Sequence, residues 1–132
     1  MSTQNTKLSI YDIRCKDLLD EEEIRFAGII DEAGDLIYGG FKKGILPLES
    51  DQTKLESFMR FVSEISLRKE YDDSLGPINY LVARRDKAVL ISFPFPLSRI
   101  LLLISAEPSV DIENLASKVI KIFGDSSIPK SN

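Results

Sequence analysis

Apolar positions along the chain switch several times between helical and strand spacing. Leu8, Tyr11, Cys15, Leu18 and Leu19 recur every three to four residues and predict a first helix. The run Asp20-Glu21-Glu22-Glu23 would oppose the macrodipole at a helix C-terminus, so it belongs to the following loop. Ile24–Ile30 reads as a strand, Asp31-Glu32-Ala33-Gly34 as a turn with Gly34 suited to the left-handed position, and Asp35–Phe41 as the return strand. Gly39-Gly40 near its end suggests a bulge or a sheet edge.

After a connection containing Pro47, Ser50 or Asp51 can cap a second helix. Its expected inward stripe is Leu55, Phe58, Met59, Val62 and Ile65. It should run to about Lys69 or Glu70, with the segment Tyr71–Pro77, punctuated by Gly76-Pro77, terminating it. Three strands follow: Ile78–Ala83, Ala88–Phe93 and Arg99–Ser105. Pro94-Phe95-Pro96 interrupts pairing, because neither proline can donate to a ladder. The unbroken run Ile100–Ile104 implies that both faces of the last strand are covered, which puts it centrally in the sheet. Ser109 or Asp111 opens a last helix with Ile112, Leu115, Ala116, Val119, Ile120 and Phe123 on one face and Gly124 at its end.

The order α-β-β-α-β-β-β-α predicts an α+β domain: a five-stranded antiparallel sheet with helices on both faces. Residues 7–124 form this single domain, with a disordered N-terminus at 1–6 and a flexible C-terminal tail at 125–132.

Composition narrows the functional classes. One residue in three is Leu, Ile, Val or Phe, which excludes a disordered chain. The net charge of −4 argues against binding nucleic acid by broad phosphate neutralisation. Histidine is absent, which removes the commonest general base and metal ligand. The single cysteine, Cys15, lies on the buried stripe and is expected to pack as a small apolar residue. The polar start of the chain carries no secretory apolar core, and no apolar run approaches the ~20 residues needed to span a bilayer. A cytoplasmic location without membrane attachment is the expectation.

The stretch Phe26-Ala27-Gly28-Ile29-Ile30-Asp31-Glu32-Ala33-Gly34-Asp35-Leu36-Ile37 is similar to the opening hairpin of the Roadblock/dynein light chain family, within the profilin-like group. Asp86–Ile91 through Ile100–Ile104 is similar to its closing strand pair. The likeness covers nearly the whole chain and is mostly topological. The chain also resembles an uncharacterised archaeal family with Phe-Ala-Gly-Ile-Ile-Asp, Gly-Pro-Ile-Asn-Tyr and Ser-Phe-Pro segments. The Roadblock resemblance implies the strand order 2-1-5-4-3. It also implies a non-catalytic homodimer that serves as scaffold, motor light chain or regulator of small Ras-like GTPases. The family has no catalytic set to transfer, so no catalytic residue, cofactor or metal is assigned. The Pro94-Phe95-Pro96 linker and the long exit from the second helix, Tyr71–Pro77, depart from the family pattern.

Two groups of residues are candidates for partner contact. Phe61 lies roughly 100° from the centre of the second helix's stripe and Leu67 roughly 140° away on the other side; Ile10 and Ile13 lie off the stripe of the first helix. Such residues either widen a buried face or are covered by a second copy. In Roadblock-like proteins the second helix usually lies at the dimer face. The candidate interface is therefore Phe61, Ile65 and Arg68 on that helix, with Asn79 and Tyr80 on the third strand. As a sheet edge, this strand can pair with another copy, or its terminal Arg84 and Arg85 can discourage pairing. The basic pairs Lys42-Lys43 and Arg84-Arg85 form a candidate anion patch. Solvated charge is the ordinary role of such pairs, and Gly39-Gly40 followed by Lys42-Lys43-Gly44 lacks phosphate-loop spacing. Asp17, the 20–23 run and Asp72-Asp73 lack calcium-loop spacing. Arg68-Lys69 is a third basic pair of the same solvated kind.

The leading expectation is a homodimeric protein-binding or regulatory module without enzymatic activity. The alternative is a small-molecule sensor of the PAS or GAF type. The Phe- and Met-rich second helix favours a packed core over the ligand cavity such a sensor needs.

Overall fold

Leu101, Leu102, Leu103 and Ile104 are all buried, and this fixes the architecture. A strand whose alternate residues are all shielded must be covered on both faces. The computed structural model describes residues 3–124, with side chains from Ile10 onward. Its elements are α1 (Thr3–Leu19), β1 (Ile24–Asp31), β2 (Leu36–Phe41), α2 (Gln52–Ser66), α3 (Asp72–Leu75), β3 (Leu81–Arg84), β4 (Val89–Pro94), β5 (Ile100–Ala106) and α4 (Ile112–Phe123). The five strands form one antiparallel sheet in the order β2-β1-β5-β4-β3, with the apolar β5 at its centre as expected.

Cross-strand partners share a face, so the register sorts the side chains. The row Ile91, Ile104 and Ala27 points to one side. There it joins Cys15 and Leu18 of α1 and Leu115, Ala116, Val119 and Phe123 of α4 in the larger core. Phe26, Ile30, Leu101 and Leu103 point to the other side and meet α2 through Met59. Two helices thus cover one face and one long helix covers the other.

Local chemistry sets the boundaries. The Asp31 carboxylate accepts from the amides of Ala33 and Asp35, both at 3.0 Å, and closes the first hairpin turn. Gly34 has the expected positive φ of 87°. A Cβ there would sit 2.6 Å from the Arg60 backbone, so the turn packs directly against α2. In β2, Gly39 has φ 82°, and a Cβ would lie 2.2 Å from the carbonyl oxygen of Ala27. Its amide donates to Asp12 of α1 at 3.1 Å. Asp51 and Asp111 cap α2 and α4 with carboxylate-to-amide bonds.

Several boundaries differ from the sequence reading. α1 begins at Thr3, four residues ahead of the expected domain start at residue 7. Met1, Ser2 and the expected tail at 125–132 lie outside the described residues. α2 stops at Ser66, where the Leu67 amide turns back to the carbonyls of Ser63 and Ile65. The one-turn α3 that follows starts with two carboxylates on its favourable end. β3 begins three residues later than expected, at Leu81.

Candidate interaction surface

The sheet-facing side of α2 carries Leu55, Met59 and Val62, which pack on the smaller core with Phe26, Ile30, Leu101 and Leu103, and two serines beside them. Its buried residues are Met59, Ser63 and Ser66. Ser63 donates to the Asp31 carbonyl at 2.6 Å, and Ser66 shares a 2.7 Å hydroxyl pair with Ser92 of β4. Each buried hydroxyl therefore has a partner, and small side chains let the helix sit close to the strands.

At roughly 100° per residue, Phe58, Ile65 and Phe61 lie about 100°, 120° and 160° to one side of Met59. Of the expected inward stripe, Leu55, Met59 and Val62 pack against the smaller core, whereas Phe58 and Ile65 turn toward this flank. Ile65 is 38% exposed and Phe61 56%, while Leu55, Phe58 and Val62 are half-buried. Leu67, read as an outlier, packs against the smaller core instead.

The apolar flank is turned toward β4 and β3. The opposite flank, at Arg60, meets the β1–β2 turn, whereas Leu55 and Phe58 share a cavity wall with Ala88 and Leu90. The register puts Leu81 and Ala83 of β3 on this same face, through Ser92–Leu103 and Leu90–Ser105–Phe26. Ala83 is exposed, and Leu81 and Leu90 are half-buried. β3 also ends the sheet. An open helix flank, an open strip of sheet and a free strand edge therefore adjoin one another.

The other expected interface residues are placed differently. Arg68, just past α2, pairs with Glu70 at 3.4 Å, both exposed. Asn79 is exposed in the approach to β3. Tyr80 tilts against Phe93 at 5.5 Å and donates its hydroxyl to Glu113 of α4 at 2.5 Å. That hydrogen bond to a carboxylate holds its pKa above the usual tyrosine value. Tyr80 thus serves the α4 side of the sheet, opposite α2. Ile10 and Ile13 on α1 are 40% and 55% exposed and form a separate apolar spot.

The basic pairs do not converge as one patch. The Lys42 ammonium binds the carbonyls of Glu21 and Glu22, at 2.7 and 3.2 Å, and ties β2 to the α1–β1 loop. Lys43 is exposed. Arg84 donates to the Pro108 carbonyl at 3.0 Å. Arg84 and Arg85 instead join Arg25, Lys54 and Lys87 around a cavity of about 730 Å³, which Lys42 and Lys43 do not line. The cavity lies under the N-terminal half of α2, where the sequence suggests a packed core. Phe58 borders this space and does not fill it.

Burial pushes the Cys15 thiol up to about 12, aided by the negative charge of Asp12. A thiol so held is no nucleophile. Among the described residues no group of three or more Cys, Asp or Glu is arranged to hold a metal ion, and no helix is long and apolar enough to cross a membrane.

A family model described as a family of unknown function, DUF6659, matches residues 3–127. No curated protein matches the sequence. Among solved structures, the Roadblock/LC7 domain from Streptomyces avermitilis superposes with a TM-score of 0.64 at 14% identity, covering 86% of this chain and 92% of that one. The gliding protein MglB from Thermus thermophilus gives 0.59 at 14% identity, covering 89% and 93%. An MglB in a tetrameric arrangement gives 0.57 at 14% identity, covering 89% and 92%. The fold is that of the Roadblock/LC7 domains.

Proposed function

The chain belongs to the DUF6659 family, of unknown function, and from that footing we propose that it is a homodimeric, non-catalytic binding module that regulates a small Ras-like GTPase. One observation carries the dimer: beside its inward residues Leu55, Met59 and Val62, α2 presents an exposed apolar flank at Phe61 and Ile65. Phe61 and Ile65 have nothing of their own chain to cover them fully. A second copy related by a two-fold axis would place its own α2 flank on this one and its own β3 beside this β3. Phe61 and Ile65 then form the centre of the interface, and Arg68 and Asn79 its rim. Tyr80 stiffens β3 from the opposite face.

The GTPase assignment rests on the shared Roadblock/LC7 fold, and the tetrameric arrangement of one MglB structure supports self-association. The absence of histidine and the inert Cys15 support a role in binding, with chemistry left to the partner. Light scattering after gel filtration tests the dimer; a monomer at tens of micromolar would contradict it. Titration against Ras-like GTPases of the same organism, loaded with GDP or a GTP analogue, tests the partner. Nucleotide-dependent binding is expected, and no binding in either state would remove the regulatory reading. The sensor alternative gains support from the cavity beneath α2.

A further inference from the structure

The cavity under α2 has two chemically distinct parts. Its inner wall is mostly carbon: the edge-to-face pair Phe26 and Phe41, with centroids 4.8 Å apart, and Leu90 and Leu103 form it, with the single hydroxyl of Ser105 between Phe26 and Leu90, and Leu55 and Met59 close it from above. Its mouth is cationic, with five basic residues against the two carboxylates of Glu49 and Asp86, in a chain whose net charge is −4. Two of the cations are engaged elsewhere. Arg25 pairs with Glu107 at 3.5 Å and binds the Leu46 carbonyl, and Arg84 binds the Pro108 carbonyl. Lys54, Arg85 and Lys87 make no ion pair among the described residues. They come from two separate segments, the start of α2 and the β3–β4 turn, and meet only at this opening.

We propose that this cavity binds an amphiphilic carboxylate, with its alkyl chain on the Phe26–Leu103 floor and its anionic head among Lys54, Arg85 and Lys87. The volume of about 730 Å³ lies within the usual range for small-molecule sites. A floor with Ser105 as its one hydroxyl offers a nucleoside's base and sugar few partners, whereas an alkyl chain needs none. A single carboxylate matches the free cations, which would otherwise repel one another across the mouth. The site lies within one subunit and does not depend on the proposed dimer.

Calorimetric and methyl-NMR titration of the whole protein tests this with decanoate, decanol and inorganic phosphate. Decanoate is expected to bind and to shift the methyl signals of Leu90, Leu103 and Met59. Decanol should bind at least about tenfold more weakly and phosphate more weakly still, since each supplies only half of the recognition. Arg85→Glu combined with Lys87→Glu changes only exposed turn residues and should weaken decanoate by about tenfold or more. Equal affinity for decanol, phosphate binding as tight as decanoate, or an unchanged double variant would each overturn the proposal. Phe61→Glu should retain decanoate binding within about twofold, because its side chain does not line the cavity. Loss of binding in that variant would assign the amphiphile to the exposed helix flank and refute the site, whereas loss of dimerisation alone would leave it supported.

Discussion

Replacing Phe61 by Glu separates an interface residue from a core residue. The side chain is 56% exposed in one subunit, which for a phenylalanine corresponds to about 110 Å² of ring and backbone surface. If a second copy covers that surface, burial contributes about 2.8 kcal/mol per subunit at ~25 cal/mol per Å², and twice that across a two-fold interface. Association costs and imperfect packing reduce the realised part, so a loss on the order of 3–5 kcal/mol is expected. A buried carboxylate facing its own symmetry mate adds to the penalty. The dimer dissociation constant should therefore rise by about two to four orders of magnitude. The folded subunit should hardly notice, since exposed substitutions usually change stability by no more than about 0.5 kcal/mol. Sedimentation equilibrium over a concentration series gives the first quantity, and urea unfolding of the monomeric species gives the second. An unchanged dissociation constant would refute the assignment of this flank. A large loss of subunit stability would show instead that Phe61 is part of the core.

The remaining predictions concern the scaffold. Ser66→Ala leaves the buried Ser92 hydroxyl without its 2.7 Å partner and should cost about 1–2 kcal/mol in urea unfolding. The Ser66→Ala/Ser92→Ala double variant should lose less than the two single losses combined. Gly39→Ala forces a side chain into a positive-φ position against the Ala27 carbonyl and should cost about 2–4 kcal/mol, read as a lowered unfolding midpoint. Cys15 should resist thiol reagents at pH 8 in the folded protein and react once denaturant is added. Because its folded pKa of about 12 is raised above the ordinary 9.0, the stability linked to it is complete below pH 9.0 and is lost as pH rises toward 12. A Cys15→Ala variant should show a smaller alkaline decline.

The parts of the fold legible in the sequence share one property: their signal is local. Asp31 to Gly34 is a turn by its own chemistry, and Ile100–Ile104 can be apolar throughout only in a strand shielded on both faces. The central position of β5 followed from that run, and the full strand order from the resemblance. The orientation of α2 was legible in part. Its apolar period placed Leu55, Met59 and Val62 against the sheet, but gave no sign of Ser63 and Ser66, whose hydroxyls find partners only in the tertiary structure. Phe61 stood out because it lay off the stripe, and Ile65 is exposed because it sits at the stripe's outer edge. Arg84 and Arg85 suggested an anion patch, yet their neighbours Arg25, Lys54 and Lys87 come from separate segments that no sequence spacing connects. Tyr80 could not be assigned to a face, because its side was decided by a register beginning at Leu81 and a bond to a residue 33 positions away.

Isotope-filtered NMR on a mixed sample of labelled and unlabelled subunits tests most directly whether this helix flank and the β3 edge meet a second copy. Intersubunit contacts are predicted from Phe61 and Ile65 to the same helix of the other chain, with further contacts between β3 backbones. Contacts arising instead from Ile10 and Ile13 on α1, or none at concentrations where the protein is dimeric, would contradict the account.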